Sequence, residues 1–106
     1  MNAAPTLTIT SIFTLHDPAD QAELFDLLTA NCVSVLQESD GFHGSTLSRS
    51  DDGTTVVHHA LWRDKTAAQN MLRSAGANDS MGRTRALADV HVVPATHNRQ
   101  FVGTRP

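Results

Sequence analysis

Hydrophobic and polar positions alternate in three stretches of the chain, with the period of two that is typical of β-strands. The first stretch, residues 6–15, is rich in threonine and places its large apolar side chains on one face. These side chains are Leu7, Ile9 and Phe13. The second and third stretches, residues 41–50 and 54–62, flank an Asp-Gly pair. Because Asp-Gly suits a tight turn with positive φ, these two strands are predicted to form an antiparallel hairpin.

Between the first two strands the apolar residues follow a helical period instead. The motif HDPAD supplies a helix start, with Asp17 as the N-cap and Pro18 at the first helical position. One stripe of residues at spacings of three and four is predicted to be buried. The stripe consists of Leu24, Leu27, Leu28, Cys32, Val35 and Leu36. Its place in the stripe favours a packing role for Cys32 over a nucleophilic one.

The second half of the chain has weaker periodicity. Asp64 is predicted to cap a short helix that breaks at the sequence GAN, and Asp79 or Ser80 to cap another through MGRTRALAD. Pro94 interrupts the segment that follows, and proline is poorly suited to a paired strand. The fourth strand is therefore predicted at residues 99–104.

This order of elements predicts an α+β protein with the ferredoxin-like split βαβ arrangement: a four-stranded antiparallel sheet with helices on one face. Residues 1–106 are interpreted as a single domain. The uncovered face of the sheet is expected to expose an apolar patch, which homodimerisation through the two sheets would cover. The patch is predicted to contain Phe42, Val56, Ala60 and Trp62.

Two adjacent histidines lie in the third strand. Successive strand residues point to opposite faces, so His58 shares a face with Trp62 and His59 does not. His59 is predicted to face the helices beside Val57 and Leu61, as a structural imidazole. For His58 two interpretations stay open: a functional group, or a polar strand residue beside trapped water.

Composition narrows the function further. The formal net charge of −3 gives no indication of a nucleic-acid or membrane partner. The single cysteine excludes an internal disulfide, and the scattered histidines have no spacing typical of a metal site. The chain shows neither a long apolar run nor the features of a signal peptide, which favours a soluble cytoplasmic protein.

The segment GFHGSTLSRSDDGTTVVHHALWRDKTAAQNML, residues 41–72, resembles the antibiotic biosynthesis monooxygenase superfamily. The resemblance lies in a Gly-Phe pair at the start of a strand, an Asp-Gly hairpin, a Val-Val pair in the next strand, and a tryptophan followed by a polar turn and a helix. It implies a homodimeric α/β barrel. The most similar branch contains the cofactor-free oxygenases of aromatic polyketides, which oxidise anthrone-like phenols to quinones with O2.

This resemblance also implies site residues. His58 stands where that branch has an asparagine, and Trp62 matches its tryptophan, so both are candidate catalytic residues. Arg83 or Arg85 is expected to line the cleft, and Phe42 to contact a small aromatic substrate. No cofactor and no metal are expected. The chain departs from the branch at Ala68, where an aromatic residue is usual, and it contains no tyrosine.

Several alternatives remain within the same superfamily. Haem-degrading members take an axial histidine from the helix after the tryptophan, whereas Leu72 occupies that neighbourhood here. An isomerase using the same enolate chemistry would need His58 without O2. A non-catalytic dimer that binds a small ligand is favoured slightly by Ala68. Trp62 could then be a core or dimer-interface residue.

Overall fold

A four-stranded antiparallel sheet organises the molecule. The computed structural model describes residues 6–106, apart from the side chain of Ala75. The strands are β1 (Leu7–Leu15), β2 (Phe42–Arg49), β3 (Thr55–Trp62) and β4 (Ala88–Ala95), in the spatial order β2-β3-β1-β4. This is the predicted ferredoxin-like α+β arrangement. The signal-peptide prediction rests in part on residues 1–5, which lie outside the described residues.

Three α-helices cover one face of the sheet. They are α1 (Gln21–Asn31), α2 (Lys65–Leu72) and α3 (Ala75–Leu87). A 3-10 turn, Pro18–Asp20, precedes α1, and a π-helical turn, Cys32–Leu36, continues it. In the part of the chain from Thr6 onward, no helix is long and apolar enough to cross a bilayer.

Two of the three predicted helix caps are confirmed, and the third is wrong. Asp17 accepts a hydrogen bond from the Ala19 N–H at 3.0 Å, and Asp64 accepts one from the Ala67 N–H at 2.9 Å. The predicted break at GAN and the predicted cap at Asp79 or Ser80 are wrong. Ser74 caps α3 instead, because its hydroxyl accepts the Ala77 N–H at 3.2 Å, and the helix runs through GAN.

The fourth strand was predicted too late in the chain. It occupies Ala88–Ala95 rather than residues 99–104, and it includes Pro94. Among residues 6–106, β4 is an edge strand that pairs with β1 alone, and Pro94 lies opposite Ile9. Proline is tolerated in edge strands, because one side of such a strand has no neighbouring strand to bond. Proline therefore marked a sheet edge here, not the absence of a strand.

The β2–β3 loop depends on Asp52 and Gly53. Gly53 has φ of 81°, as the Asp-Gly pair predicted, but the loop covers residues 50–54 and is longer than a two-residue turn. The Asp52 carboxylate accepts hydrogen bonds from the Ser50 hydroxyl and from the Thr54 N–H and hydroxyl. These bonds, the one from Ser50 first, lower the pKa of Asp52 to about 2.

The faces of the sheet are the reverse of the prediction. Two buried clusters connect the sheet to the helices, one around Trp62 and Leu36 and the other around Val56 and Leu24. The face of β3 that carries His58 and Trp62 is therefore the helix-covered one. The predicted apolar patch of Phe42, Val56, Ala60 and Trp62 does not lie on the open face. Strand alternation separates the two faces but does not show which of them the helices will cover.

His59 lies on the open face, contrary to the prediction. Its side chain is exposed, and its Nδ1 lies 2.9 Å from the Thr10 hydroxyl on the neighbouring strand. Val57 and Leu61 share this face and are half-buried.

A side chain at Gly41 is expected to destabilise the protein more than one at Gly53. It has φ of 80°, and a Cβ built there would lie 2.5 Å from the Ala67 Cβ. Gly53 has nearly the same φ but meets no atom closer than 3.9 Å, so Gly53→Ala measures the backbone strain alone. We expect Gly53→Ala to cost about 1–2 kcal/mol of unfolding free energy, and Gly41→Ala to cost about 1–3 kcal/mol more. Urea denaturation of both variants measures the difference, and equal losses would contradict the predicted clash.

Candidate functional site

A cleft of about 300 Å³ lies between the helix-covered face of the sheet and the three helices. Its floor is formed by side chains of β1, β3 and β4. These are Ile9, Ser11, Phe13, His58, Ala60, Trp62, Val90 and Val92. The helices and the π-helical turn form the walls with Leu28, Asn31, Leu36, Ala68, Met71, Leu72, Ala77, Ser80, Met81, Thr84 and Arg85. Most of these side chains are apolar, as is typical of sites for small organic ligands.

His58 is the titratable group on the cleft floor. It is partly buried, and burial, with a smaller contribution from the neighbouring His59, lowers its pKa below the ordinary value of 6.5. The imidazole is therefore neutral at neutral pH. A neutral imidazole can accept a proton, so the environment suits a general base.

Cys32 lies behind His58. Its Sγ is 3.7 Å from the His58 Nε2, and burial raises the pKa of the thiol, with a hydrogen bond to Ser45 opposing the shift. The thiol is thus protonated at neutral pH and can either donate to Nε2 or accept from it. If Nε2–H donates to sulfur, the lone pair of Nδ1 is available to a ligand.

The π-helical turn positions Cys32. The Gln37 N–H donates to the Cys32 carbonyl at 2.9 Å, which is the i to i+5 bond of a π-helix. Such a turn inserts one residue relative to an α-helix and is frequent at functional sites. It follows Asn31 directly, so a cleft-lining residue and the residue that contacts His58 are adjacent in the chain.

Trp62 is almost fully buried, with 1% of its surface exposed. It lines the cleft, and Phe42 packs against it edge-on with ring centroids 5.2 Å apart. Phe42 belongs to the surrounding core and does not line the cleft. The structure thus brings Trp62 and His58 to one surface and places Phe42 behind Trp62.

The two candidate arginines differ in position. Arg85, in the last turn of α3, lines the cleft, whereas Arg83 does not. Both side chains are exposed, which places the Arg85 guanidinium at the mouth of the cleft. Arg85 could stabilise negative charge on a bound ligand there.

Sequence reasoning missed Asn31 as a cleft residue. Asn31 directly precedes Cys32, which belongs to the predicted stripe. An asparagine next to a buried helix face was the feature of the sequence that could have indicated this position. Ala68, at the position where an aromatic residue is usual in the similar branch, is 3% exposed and lies in the cleft wall. Across residues 6–106, no group of three His, Cys, Asp or Glu side chains is arranged to hold a metal ion.

The fold and the cleft together define a ferredoxin-like α+β protein with a largely apolar cleft between sheet and helices. The family model for antibiotic biosynthesis monooxygenases matches residues 8–82, and the chain belongs to that family.

Solved structures agree with this assignment. SnoaB, a cofactor-independent oxygenase from Streptomyces nogalater, is 26% identical, with 92% of this chain and 97% of SnoaB covered and a TM-score of 0.75. The ActVA-Orf6 monooxygenase of Streptomyces coelicolor, solved with nanaomycin D, is 22% identical over 94% of each chain, with a TM-score of 0.79. Rv0793 from Mycobacterium tuberculosis is 20% identical over 89% of this chain and 96% of its own, with a TM-score of 0.78. A search of curated proteins gives no significant match.

Proposed function

We propose that this protein is a cofactor-independent monooxygenase that oxidises an anthrone-like phenol or aromatic polyketide to a quinone with O2. One observation carries the proposal: an apolar cleft of about 300 Å³ in which His58, Trp62 and Arg85 line a common space. Membership of the monooxygenase family and the likeness to SnoaB support the class of reaction.

The reaction needs no electron carrier because the substrate itself supplies the electrons. A base removes a proton from the activated methylene, and the resulting carbanion transfers one electron to O2. The two radicals combine and form a C–O bond, which gives a peroxide. Loss of the second C–H proton and cleavage of the O–O bond then give the carbonyl and water. In sum, one CH2 group and one O2 become one C=O group and one H2O.

Four side chains in or beside the cleft have roles in this proposal. His58 removes the first proton. Its lowered pKa keeps the imidazole neutral, and the neutral form is the one that accepts a proton. Cys32 holds the His58 Nε2 and stabilises the imidazolium through its sulfur. The indole N–H of Trp62 donates to the substrate carbonyl or the peroxide, and Arg85 stabilises the enolate electrostatically.

We also propose that residues 1–106 form one domain, and that two copies pair through the open faces of their sheets. That face carries Ile12, Val57, Leu61 and Val93, each at least partly exposed in the single chain. Burial of these side chains against a second copy would remove apolar surface from water. Sedimentation equilibrium tests the pairing, and a monomer at micromolar concentration would contradict it. The cytoplasmic location stays a prediction.

The direct test mixes the purified protein, shown to lack a bound chromophore and metal, with an anthrone in air. O2 uptake and quinone absorbance are followed together, and the spontaneous rate is subtracted. We expect one O2 consumed for each quinone formed. Rates equal to the spontaneous rate for several anthrones would refute the proposal.

Arg85 and Arg83 form a matched pair for this assay. Arg85→Gln is expected to lower kcat/KM about tenfold, because one charge facing the enolate is lost at an exposed and partly screened position. Arg83→Gln removes the same charge from the same helix outside the cleft and should leave kcat/KM unchanged. The Arg85 effect should also shrink as salt is added. Equal losses in both variants would mean that general charge, not cleft geometry, is responsible.

A second candidate function is binding of a small aromatic ligand without catalysis. Its support is Ala68, which is buried in the cleft wall and supplies no aromatic or hydroxyl group. Ligand binding without quinone formation would favour it.

The haem-degrading alternative lacks the expected axial ligand, because Leu72 lines the cleft where a histidine is expected. A stable Soret shift at stoichiometric haem would revive that function.

A further inference from the structure

The Asn31 side chain has an unusual environment. Asn31 is the last residue of α1 and lines the cleft. Its Oδ1 is buried and has no hydrogen-bond partner among residues 6–106. A buried amide oxygen left unpaired is unfavourable, and native proteins contain few such groups. A polar group retained at this cost calls for a partner other than residues 6–106, and the cleft that Asn31 lines is where a ligand would supply one.

The surroundings of Asn31 are apolar. Leu28 and Leu36 line the same wall and are 7% and 3% exposed. The next residue, Cys32, contacts His58 on the cleft floor. The end of α1 and the π-helical turn therefore supply two neighbouring polar side chains: Cys32 contacts His58, and Asn31 lines the cleft while its buried Oδ1 has no partner among residues 6–106.

We propose that Asn31 is a specificity-determining residue that accepts a hydrogen bond from a hydroxyl group of the bound ligand. A phenolic O–H is a strong donor, and the carboxamide oxygen is an acceptor. A site built to bond a hydroxyl discriminates strongly against an analogue that lacks it, because the buried acceptor then stays unpaired. The ligand class is thus a planar aromatic molecule with a free hydroxyl. This inference rests on the proposed function for the aromatic nature of the ligand.

Trp62 provides the binding assay, because it is the only tryptophan in the chain and lies in the cleft. Quenching of its fluorescence is titrated with a hydroxyanthraquinone and with unsubstituted anthraquinone. In Asn31→Leu we expect the Kd of the hydroxylated ligand to rise about tenfold and that of the unsubstituted ring to stay unchanged. Asn70→Leu, the same substitution at an exposed helical asparagine, should change neither Kd.

The melting temperature of the ligand-free protein gives an independent readout. Asn31→Leu removes an unpaired buried oxygen while it keeps a side chain of similar shape, so the melting temperature should rise. Asn31→Ala, which removes the same oxygen with less added apolar surface, should show the same loss of ligand discrimination. A lower melting temperature in Asn31→Leu would show that the carboxamide is structural, and would overturn the inference. Equal weakening of both ligands would overturn it as well.

Failure of this inference differs from failure of the proposed function. Binding with hydroxyl discrimination but no oxidation of anthrones would support Asn31 and refute the monooxygenase. Oxidation of anthrones with unchanged discrimination in Asn31→Leu would support the monooxygenase and refute Asn31. A wild-type protein that binds neither ligand would refute both.

Discussion

His58→Ala is expected to lower kcat for anthrone oxidation by about 10²–10⁴-fold, the usual contribution of a positioned general base. The residue lies on the cleft floor, and its neutral imidazole is the state that accepts a proton. O2 uptake at saturating substrate measures the effect. His59→Ala is the matched control, because His59 is the adjacent residue on the opposite, open face of the sheet. Similar losses in both variants would contradict the assignment of His58.

The same base predicts a pH profile. Burial first, and His59 second, lower the pKa of His58 below 6.5, so the imidazole loses its proton at a lower pH than an exposed histidine does. Because only the neutral form accepts a proton, kcat/KM should rise with pH through an inflection below 6.5 and then level off. His58→Gln should lose this inflection. An inflection above 6.5 in the wild-type protein, or one that persists in His58→Gln, would place the base elsewhere.

Trp62→Ala is expected to destabilise the protein by about 3–5 kcal/mol, the range for removal of a large buried aromatic side chain. Trp62 is 1% exposed and joins the core cluster that contains Leu7 and Leu36, with Phe42 packed edge-on against its ring. Urea denaturation followed by circular dichroism measures the loss, since the variant has no tryptophan fluorescence. A loss below about 1 kcal/mol would contradict the observed packing.

Trp62→Phe separates the packing role from the chemical one. It keeps an aromatic ring but removes the indole N–H, so we expect a smaller stability loss and a fall in kcat. Val56→Ala is the control on the same strand: Val56 is fully buried in the second cluster and does not line the cleft. It should reduce stability and leave kcat unchanged. An unchanged kcat in Trp62→Phe would limit Trp62 to a structural role.

Local features of this fold could be predicted from the sequence. Asp17 and Asp64 cap their helices, because a short side-chain acceptor meets free backbone N–H groups within a few residues. Gly53 takes the positive φ that its Asp-Gly pair indicated. The alternation in β3 correctly placed His58 with Trp62 and apart from His59. Each of these features depends on neighbours in the chain.

The place of β4 and the cap of α3 were predicted incorrectly. Pro94 is compatible with β4 because that strand lies at an edge, a property of the sheet order and not of the segment. Ser74 replaced Asp79 and Ser80 as the cap of α3, in a region where weak amphipathicity left several helix starts possible. For β4, residues distant in sequence decided between local alternatives, whereas the start of α3 depends on a local cap that the sequence did not distinguish from the others.

The sequence by itself determined the class of fold and the separation of the two histidines, because strand and helix periods act over a few residues. Only the tertiary structure decided which face of the sheet the helices cover, since both faces carry apolar and polar side chains. That choice puts His58 and Trp62 in a cleft and His59 on the open face. It also brings Asn31 and Arg85, from two different helices, to the same cleft and Cys32 to His58, an arrangement that only the packing of distant segments produces.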